Sequence, residues 1–303
     1  MSRNWSGNNR APWHDYTSRC MYHITMLKAA GVPDFGHLAG SCDIPVGSPG
    51  CSYIVASPIG RAVKTTLYAL PSIHSALRHL QYALMPDHLH ILLSVESELD
   101  EHLGLKLARF KNRVKDLAGI KGIFAEGYND QIITAQRDLN SIFRYIRENP
   151  YRLAVRYRHP EYFSRAMDIT VAGRRYSAYG NLALLRNPFK DQVVVHRADT
   201  PARRAYNRDR WLYTAANGGV LVSPFISRDE REIRDMAERL DARIILISNE
   251  GYGERQKPTG HNFNQCACGR LLILTPIDPA MPADLTRSAC LAMNAHAASI
   301  AAT

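Results

Sequence analysis

Between residues 17 and 95, short apolar runs alternate with turns that hold glycine and proline. The runs at 20–26, 52–56 and 81–84, the last continuing to Val95, have the pattern of strands, and apolar spacing around 72–80 predicts a helix before that last strand. From 103 to 117 the apolar period lengthens to that of a helix with a basic surface. A second helix is expected over 140–149 and should end at Pro150, because proline lacks the N–H and disfavours helix in the residue before it. The pattern predicts an α+β unit with helices packed on an antiparallel sheet.

After about residue 168 the texture changes. Residues 173–179 read as a linker, and 192–196, 219–222, 243–248 and 271–275 as short strands, with helices at 229–240 and 282–298. Ser227 and Glu230 open the first of those helices with a capping-box spacing. Strand–helix alternation predicts a small parallel sheet, so the expected division is 1–167 for the α+β domain and 168–303 for a smaller α/β, Rossmann-like domain. A length of 303 residues suits two domains.

A hydrophobic content of 46% and a charged content of 22% are those of an ordinary globular chain. The formal net charge of +10 is not ordinary, and it favours a polyanionic partner, with nucleic acid ahead of an acidic membrane. No run approaches the ~18 apolar residues of a spanning helix, and the polar N-terminus lacks a signal core, so no membrane role and a cytoplasmic location are expected. The six cysteines form no CxxC pair, which argues against a zinc ribbon or a disulfide framework; Cys266 and Cys268 read as reduced thiols, and the Asn4-Trp5-Ser6 sequon as an accident of composition.

The most informative segment is Met85-Pro-Asp-His-Leu-His-Ile-Leu92. On a strand, His88 and His90 leave one face about 7 Å apart while Leu89, Ile91 and Leu93 enter a core on the other. Two imidazoles so placed suit one metal ion, with a third ligand from elsewhere and positions left open for substrate. The missing HExxH and paired cysteines argue against a metalloprotease or structural zinc, and a phosphate-directed Mg2+ or Mn2+ site fits better.

In Arg137-Asp-Leu-Asn-Ser-Ile-Phe-Arg-Tyr-Ile-Arg-Glu-Asn-Pro150, helical spacing groups Leu139, Ile142, Phe143 and Ile146 as an apolar stripe, with Tyr145 and Asn149 neighbours beside it. Phenol and amide could serve as nucleophile and metal ligand, or simply edge a core and close a helix. A phenol is a weak nucleophile at neutral pH, and metal-withdrawn charge on a phosphate would make its attack competent. A phosphotyrosine ester stores the phosphodiester's energy, so strand transfer would need no ATP, in keeping with the missing P-loop sequence.

MPDHLHILLSV, FKNRVK at 110–115, GYNDQII at 127–133 and YIRENP at 145–150, in this order, resemble the HUH single-tyrosine transposases, in particular the REP-associated tyrosine transposases. The resemblance covers roughly residues 16–165. It implies a ferredoxin-like or RRM-like sandwich with the histidines on a central strand, Mg2+ or Mn2+ held by His88 and His90 with Asn149 as third ligand, and Tyr145 as the nucleophile that takes a 5′ phosphate. It also implies single-stranded DNA as partner, including hairpin ends of a mobile or repeat element, for a chain acting as monomer or homodimer. One departure is Ile123-Phe-Ala-Glu-Gly127 where many relatives carry a Trp-Gln pair, with Phe124 able to replace the apolar anchor. Tyr128 is the rival nucleophile.

Lys106, Arg109 and Arg113 fall on one face of the 103–117 helix and Lys111 with Lys115 on another, as candidates for contacts to the DNA backbone. Tyr151, Arg152, Arg156, Tyr157 and Arg158 interleave rings and cations, as do Arg203, Arg204, Arg208, Arg210 and Trp211. The second domain carries no GxGxxG and reads as an accessory domain for DNA or protein contacts. Two other readings are a binding protein of the same fold without catalysis, and a metal phosphodiesterase that uses water in place of tyrosine.

Overall fold

The computed structural model describes residues 11–250, 257–278 and 284–303. The Asn4 sequon, the polar N-terminal residues and the start of the helix expected from 282 lie outside these residues. Contacts divide the chain into Met1–Val155 and Arg156–Thr303. Among the described residues no helix is long and apolar enough to cross a membrane.

The first unit runs β1 (Cys20–Leu27), β2 (Gly36–Ala39), β3 (Tyr53–Ala56), α1 (Pro58–Tyr68), α2 (Leu70–Ile73), β4 (Leu77–Leu84), β5 (His88–Val95), α3 (Leu103–Ala118), β6 (Asn129–Ile133) and α4 (Gln136–Arg158). The division between the units falls within α4. β4, β5, β1 and β6 form, in that spatial order, an antiparallel sheet, and β2 pairs with β3 in a separate ribbon. With α1 and α3 as the connections flanking the β4–β5 hairpin, this is the connectivity of a β-α-β-β-α-β unit.

One face of the sheet carries Tyr22, Ile24, Met26, Leu89, Ile91 and Leu93, packed with Ile59, Val63 and Leu67 of α1 and Leu103, Leu107 and Phe110 of α3. α1 starts where its sequence says it should, with Pro58 in the first turn and the Ser57 hydroxyl accepting from Gly60 N. Gly60 is required there, since a Cβ would stand 1.9 Å from the Phe35 carbonyl oxygen. The other face carries a smaller core of Ala83, Leu92, Ile133, Ile142 and Ile146, which seats α4.

The helix expected over 72–80 is not there: helix occupies Pro58–Tyr68 and Leu70–Ile73, and 77–84 is strand. Leu77 and Leu80 have the i, i+3 spacing of a helix, but Leu80 is the exposed extra residue where the β4–β5 register shifts between His79 and Gln81, breaking the two-residue alternation. α4 also differs from expectation, running through Pro150 to Arg158. Its stripe is Leu139, Ile142, Ile146 and Leu153, with Phe143 turned outward.

The second unit comprises β7 (Ser164–Val171), β8 (Arg174–Gly180), β9 (Lys190–Gln192), α5 (Pro201–Ala216), β10 (Val220–Ser223), α6 (Arg228–Glu238), β11 (Arg243–Ile247), α7 (Gly260–Ala267), β12 (Leu271–Pro276) and α8 (Arg287–Ala301). Its sheet has the order β7-β8-β12-β11-β10-β9. β9 to β12 are parallel and sequential, and the β7–β8 hairpin adds antiparallel strands beside β12. The crossovers between successive neighbours put α5, α6 and α7 on one face, where Trp211, Ile233 and Cys266 share a core, and α8 covers the other with Met293, Ala297 and Ile300. The capping box at Ser227 and Glu230 is formed.

Of residues 173–179, expected as a linker, all but Gly173 belong to β8, and β7 spans the expected boundary at 167/168 within the same sheet. Polar Arg174, Arg175 and Ser177 hid a strand whose Tyr176, Ala178 and Tyr179 are buried.

Candidate active site

β5 places His88 and His90 on the α4 face of the sheet. His90 is 6% exposed and pairs across the ladder with Ala83 on one side and Thr25 on the other. The two rings converge, with Nε2 of His88 3.1 Å from Nε2 of His90. Two nitrogens each about 2.1 Å from one ion would stand roughly 3.0 to 3.4 Å apart for octahedral to tetrahedral angles, so the pair fits a single cation.

Each ring is held through its other nitrogen. Nδ1 of His88 lies 2.6 Å from Asp87 Oδ1, and Nδ1 of His90 lies 2.9 Å from Thr25 Oγ1 and 3.0 Å from His23 Nε2. With both Nδ1 atoms donating, both Nε2 lone pairs face the same point, the arrangement typical of metal-bound histidines with their supporting partners. Burial pushes the pKa of His90 well below its ordinary value, with the His88 and His23 charges adding to the effect. It lowers that of His23 to about 4, against a hydrogen bond to Gln131 that raises it. Burial thus favours the neutral form of the His90 and His23 rings, and a neutral imidazole is the form a metal needs.

Tyr145 comes to this pair from α4. Its ring centre is 5.5 Å from that of His90 and 5.9 Å from that of His23, edge-on to both. The buried Arg152 guanidinium lies 5.2 Å from the same ring centre, and Glu148 is 3.8 Å from Arg152. Asn149 is buried, and its Nδ2 donates to the Tyr145 carbonyl at 2.9 Å. Among the described residues, no three His, Cys, Asp or Glu side chains are grouped to hold a metal.

Tyr128, the other tyrosine candidate, packs against the core on the opposite face, and its hydroxyl lies 3.5 Å from where a Cβ on Gly104 of α3 would stand. The basic residues of α3 belong to that far face as well. Lys106 is buried between Asp100 (2.5 Å) and Glu101 (2.9 Å), and Arg109 also pairs with Glu101. Lys111 donates to the carbonyls of Ala125 (2.8 Å) and Gly127. Arg113 is exposed, and Lys115 is half-buried 3.3 Å from Asp116. The structure brings together His88, His90 and Tyr145, with Asn149 on the same helix, and sets the α3 cations apart from them.

His23, Thr25, Gln131 and Arg152 join the site without having been singled out in it by the sequence. For His23 and Thr25 the signal was present, because they alternate with buried Tyr22, Ile24 and Met26 on β1 just as the histidines do on β5.

No family model matches the chain, and no curated protein matches it in sequence. Among solved structures it is similar to a REP-associated tyrosine transposase bound to a REP hairpin, at 14% identity and a TM-score of 0.35 over 48% of this chain and 73% of that one. It is also similar to DNA processing protein A from Helicobacter pylori, solved for its single-stranded DNA binding mode, at 22% identity and a TM-score of 0.33 over 46% of this chain and 66% of that one.

Proposed function

We propose that the first unit is an HUH-type nuclease or transposase domain that cuts single-stranded DNA with Tyr145 as nucleophile. The observation that carries this reading is the 3.1 Å approach of the two Nε2 atoms beside the Tyr145 ring. A pure binding protein has no use for two imidazoles brought this close together next to a phenol. A water-using phosphodiesterase would account for the imidazoles and leave Tyr145 without a task.

His88 and His90 hold Mg2+ or Mn2+ in this proposal, with Asn149 as the third ligand once its amide oxygen turns to the ion. The ion would supply Lewis-acid charge at the scissile phosphate. Tyr145 gives its phenolic proton to solvent and forms the O–P bond, the bond from phosphorus to the 3′ oxygen breaks, and that oxygen takes up a proton. The products are a 5′-phosphotyrosine ester and a free 3′ hydroxyl, and attack by such a hydroxyl on the ester rejoins the strand. Arg152 packs its guanidinium against the Tyr145 ring and helps to hold the nucleophile in place.

The test is a denaturing gel of the full chain with end-labelled single-stranded DNA from the flanks of its gene and Mn2+. The proposal expects a labelled covalent adduct that is lost in Tyr145→Phe and in His88→Ala. Tight DNA binding with no adduct would favour the binding-protein reading, and cleavage retained in Tyr145→Phe would favour water.

A further inference from the structure

α5 of the second unit has two unlike faces. The inner one is fully used: Trp211 is 1% exposed with its indole N–H donating to the Gln192 carbonyl at 2.8 Å, and Asn207 and Ala215 are buried beside it. The tryptophan that the sequence grouped with the arginines is thus a core anchor. On the outer face, Arg203, Tyr206, Arg210 and Tyr213 follow at i, i+3, i+7 and i+10, so cation and ring alternate along one side of the helix. Tyr206 and Tyr213 are 66% and 71% exposed, and neither belongs to the second unit's cores.

The stripe has a third ring at its end. Phe189 is 72% exposed, and its carbonyl accepts from Val220 N while the adjoining Gly219 N donates to Thr214 of α5. The helix carries four arginines and one acid, Asp209, and three of the arginines meet carboxylates, with Arg204 2.8 Å from Asp229. Arg210 is braced by Asp191 at 3.0 Å and Arg208 by Asp209 at 3.2 Å, which fixes the direction in which their guanidinium groups point.

We propose that this outer face of α5 is a stacking platform for single-stranded DNA. The inference rests on the reading of the first unit as acting on such DNA. Exposed rings spaced by cations match an unpaired strand, whose bases offer flat faces and whose phosphates repeat between them. Double-stranded DNA hides those faces. Tyr206 and Tyr213, two turns apart, lie about 10 Å apart along the axis, room for rings to take up neighbouring or next-neighbouring bases.

The experiment measures fluorescence anisotropy of a labelled oligothymidylate with the full chain carrying Tyr145→Phe, so that binding is read without cleavage. The paired substitution Tyr206→Ala/Tyr213→Ala removes no core contact and should fold normally. It is expected to weaken binding by roughly tenfold or more, within the 5- to 150-fold range per stacked base, while an abasic oligonucleotide binds parent and variant alike. Arg203→Ala should lower the salt dependence by about 0.7 in log–log slope. Equal affinity of parent and tyrosine variant for oligothymidylate would overturn the platform, and so would equal losses on the abasic strand. Adduct formation by the chain with Tyr145 intact is scored separately, so failure of the platform and failure of the cleavage proposal are distinguishable.

Discussion

His23 and Thr25 both reach Nδ1 of His90, at 3.0 and 2.9 Å, yet that nitrogen carries one proton at most. Either partner alone can fix the tautomer that leaves the His90 Nε2 lone pair free. His23→Ala and Thr25→Val, taken singly, should therefore weaken Mn2+ binding only slightly. The double variant should lose the full contribution of such a partner, about 10–100-fold or roughly 1.4–2.7 kcal/mol. The two changes are then non-additive, with a coupling energy on the order of 1–2 kcal/mol, inside the range seen for residues that share a partner. The assay is titration of Mn2+ into each of the four proteins, with far-UV circular dichroism to confirm that the sheet persists. Effects that simply add, or a double variant that binds Mn2+ as the parent does, would refute the reasoning that the two side chains act through one nitrogen of a metal ligand.

Three further outcomes follow from packing and charge. Ile146 is fully buried where α4 meets the sheet, so Ile146→Ala should cost about 2–5 kcal/mol in denaturant unfolding, and a change under ~1 kcal/mol would contradict the seating of α4. Burial pushes the Cys266 thiol up to about 12, which leaves almost no thiolate at pH 8, whereas Cys268 is exposed. Iodoacetamide on the native chain at pH 8 should label Cys268 and spare Cys266, and comparable rates would contradict the burial. Lys106→Met should lower the melting temperature while leaving single-stranded DNA affinity unchanged, because the ammonium is held by Asp100 and Glu101; lost affinity at unchanged stability would restore it as a DNA contact.

Much of the site could be read from the chain because strand periodicity is short and strict. Once His88 and His90 alternate with Leu89 and Ile91, their shared face follows, and Ile142 and Ile146 bring Tyr145 to that face. What could not be read was lateral: which strand lies beside β5. His23 becomes a neighbour of His90 only through the β1–β5 register, set by long-range pairing.

The local misreadings have separate causes. The bulge at His79/Gln81 gave a strand helical spacing. Pro150 does not end α4, because the helix is held on both sides of it by Ile146 and Leu153 against the sheet. The 103–117 helix was rightly read as helix and as basic, but only the sheet separates its cations from the histidines, and periodicity alone carries no such information.

Tyr145 as the nucleophile is tested most directly by peptide mass spectrometry of the chain after reaction with single-stranded DNA and Mn2+, followed by nuclease trimming. The account predicts a nucleotide remnant on the peptide that contains Tyr145 and none on the peptide that contains Tyr128. A remnant on Tyr128, or cleaved DNA with no remnant on any tyrosine, would contradict it.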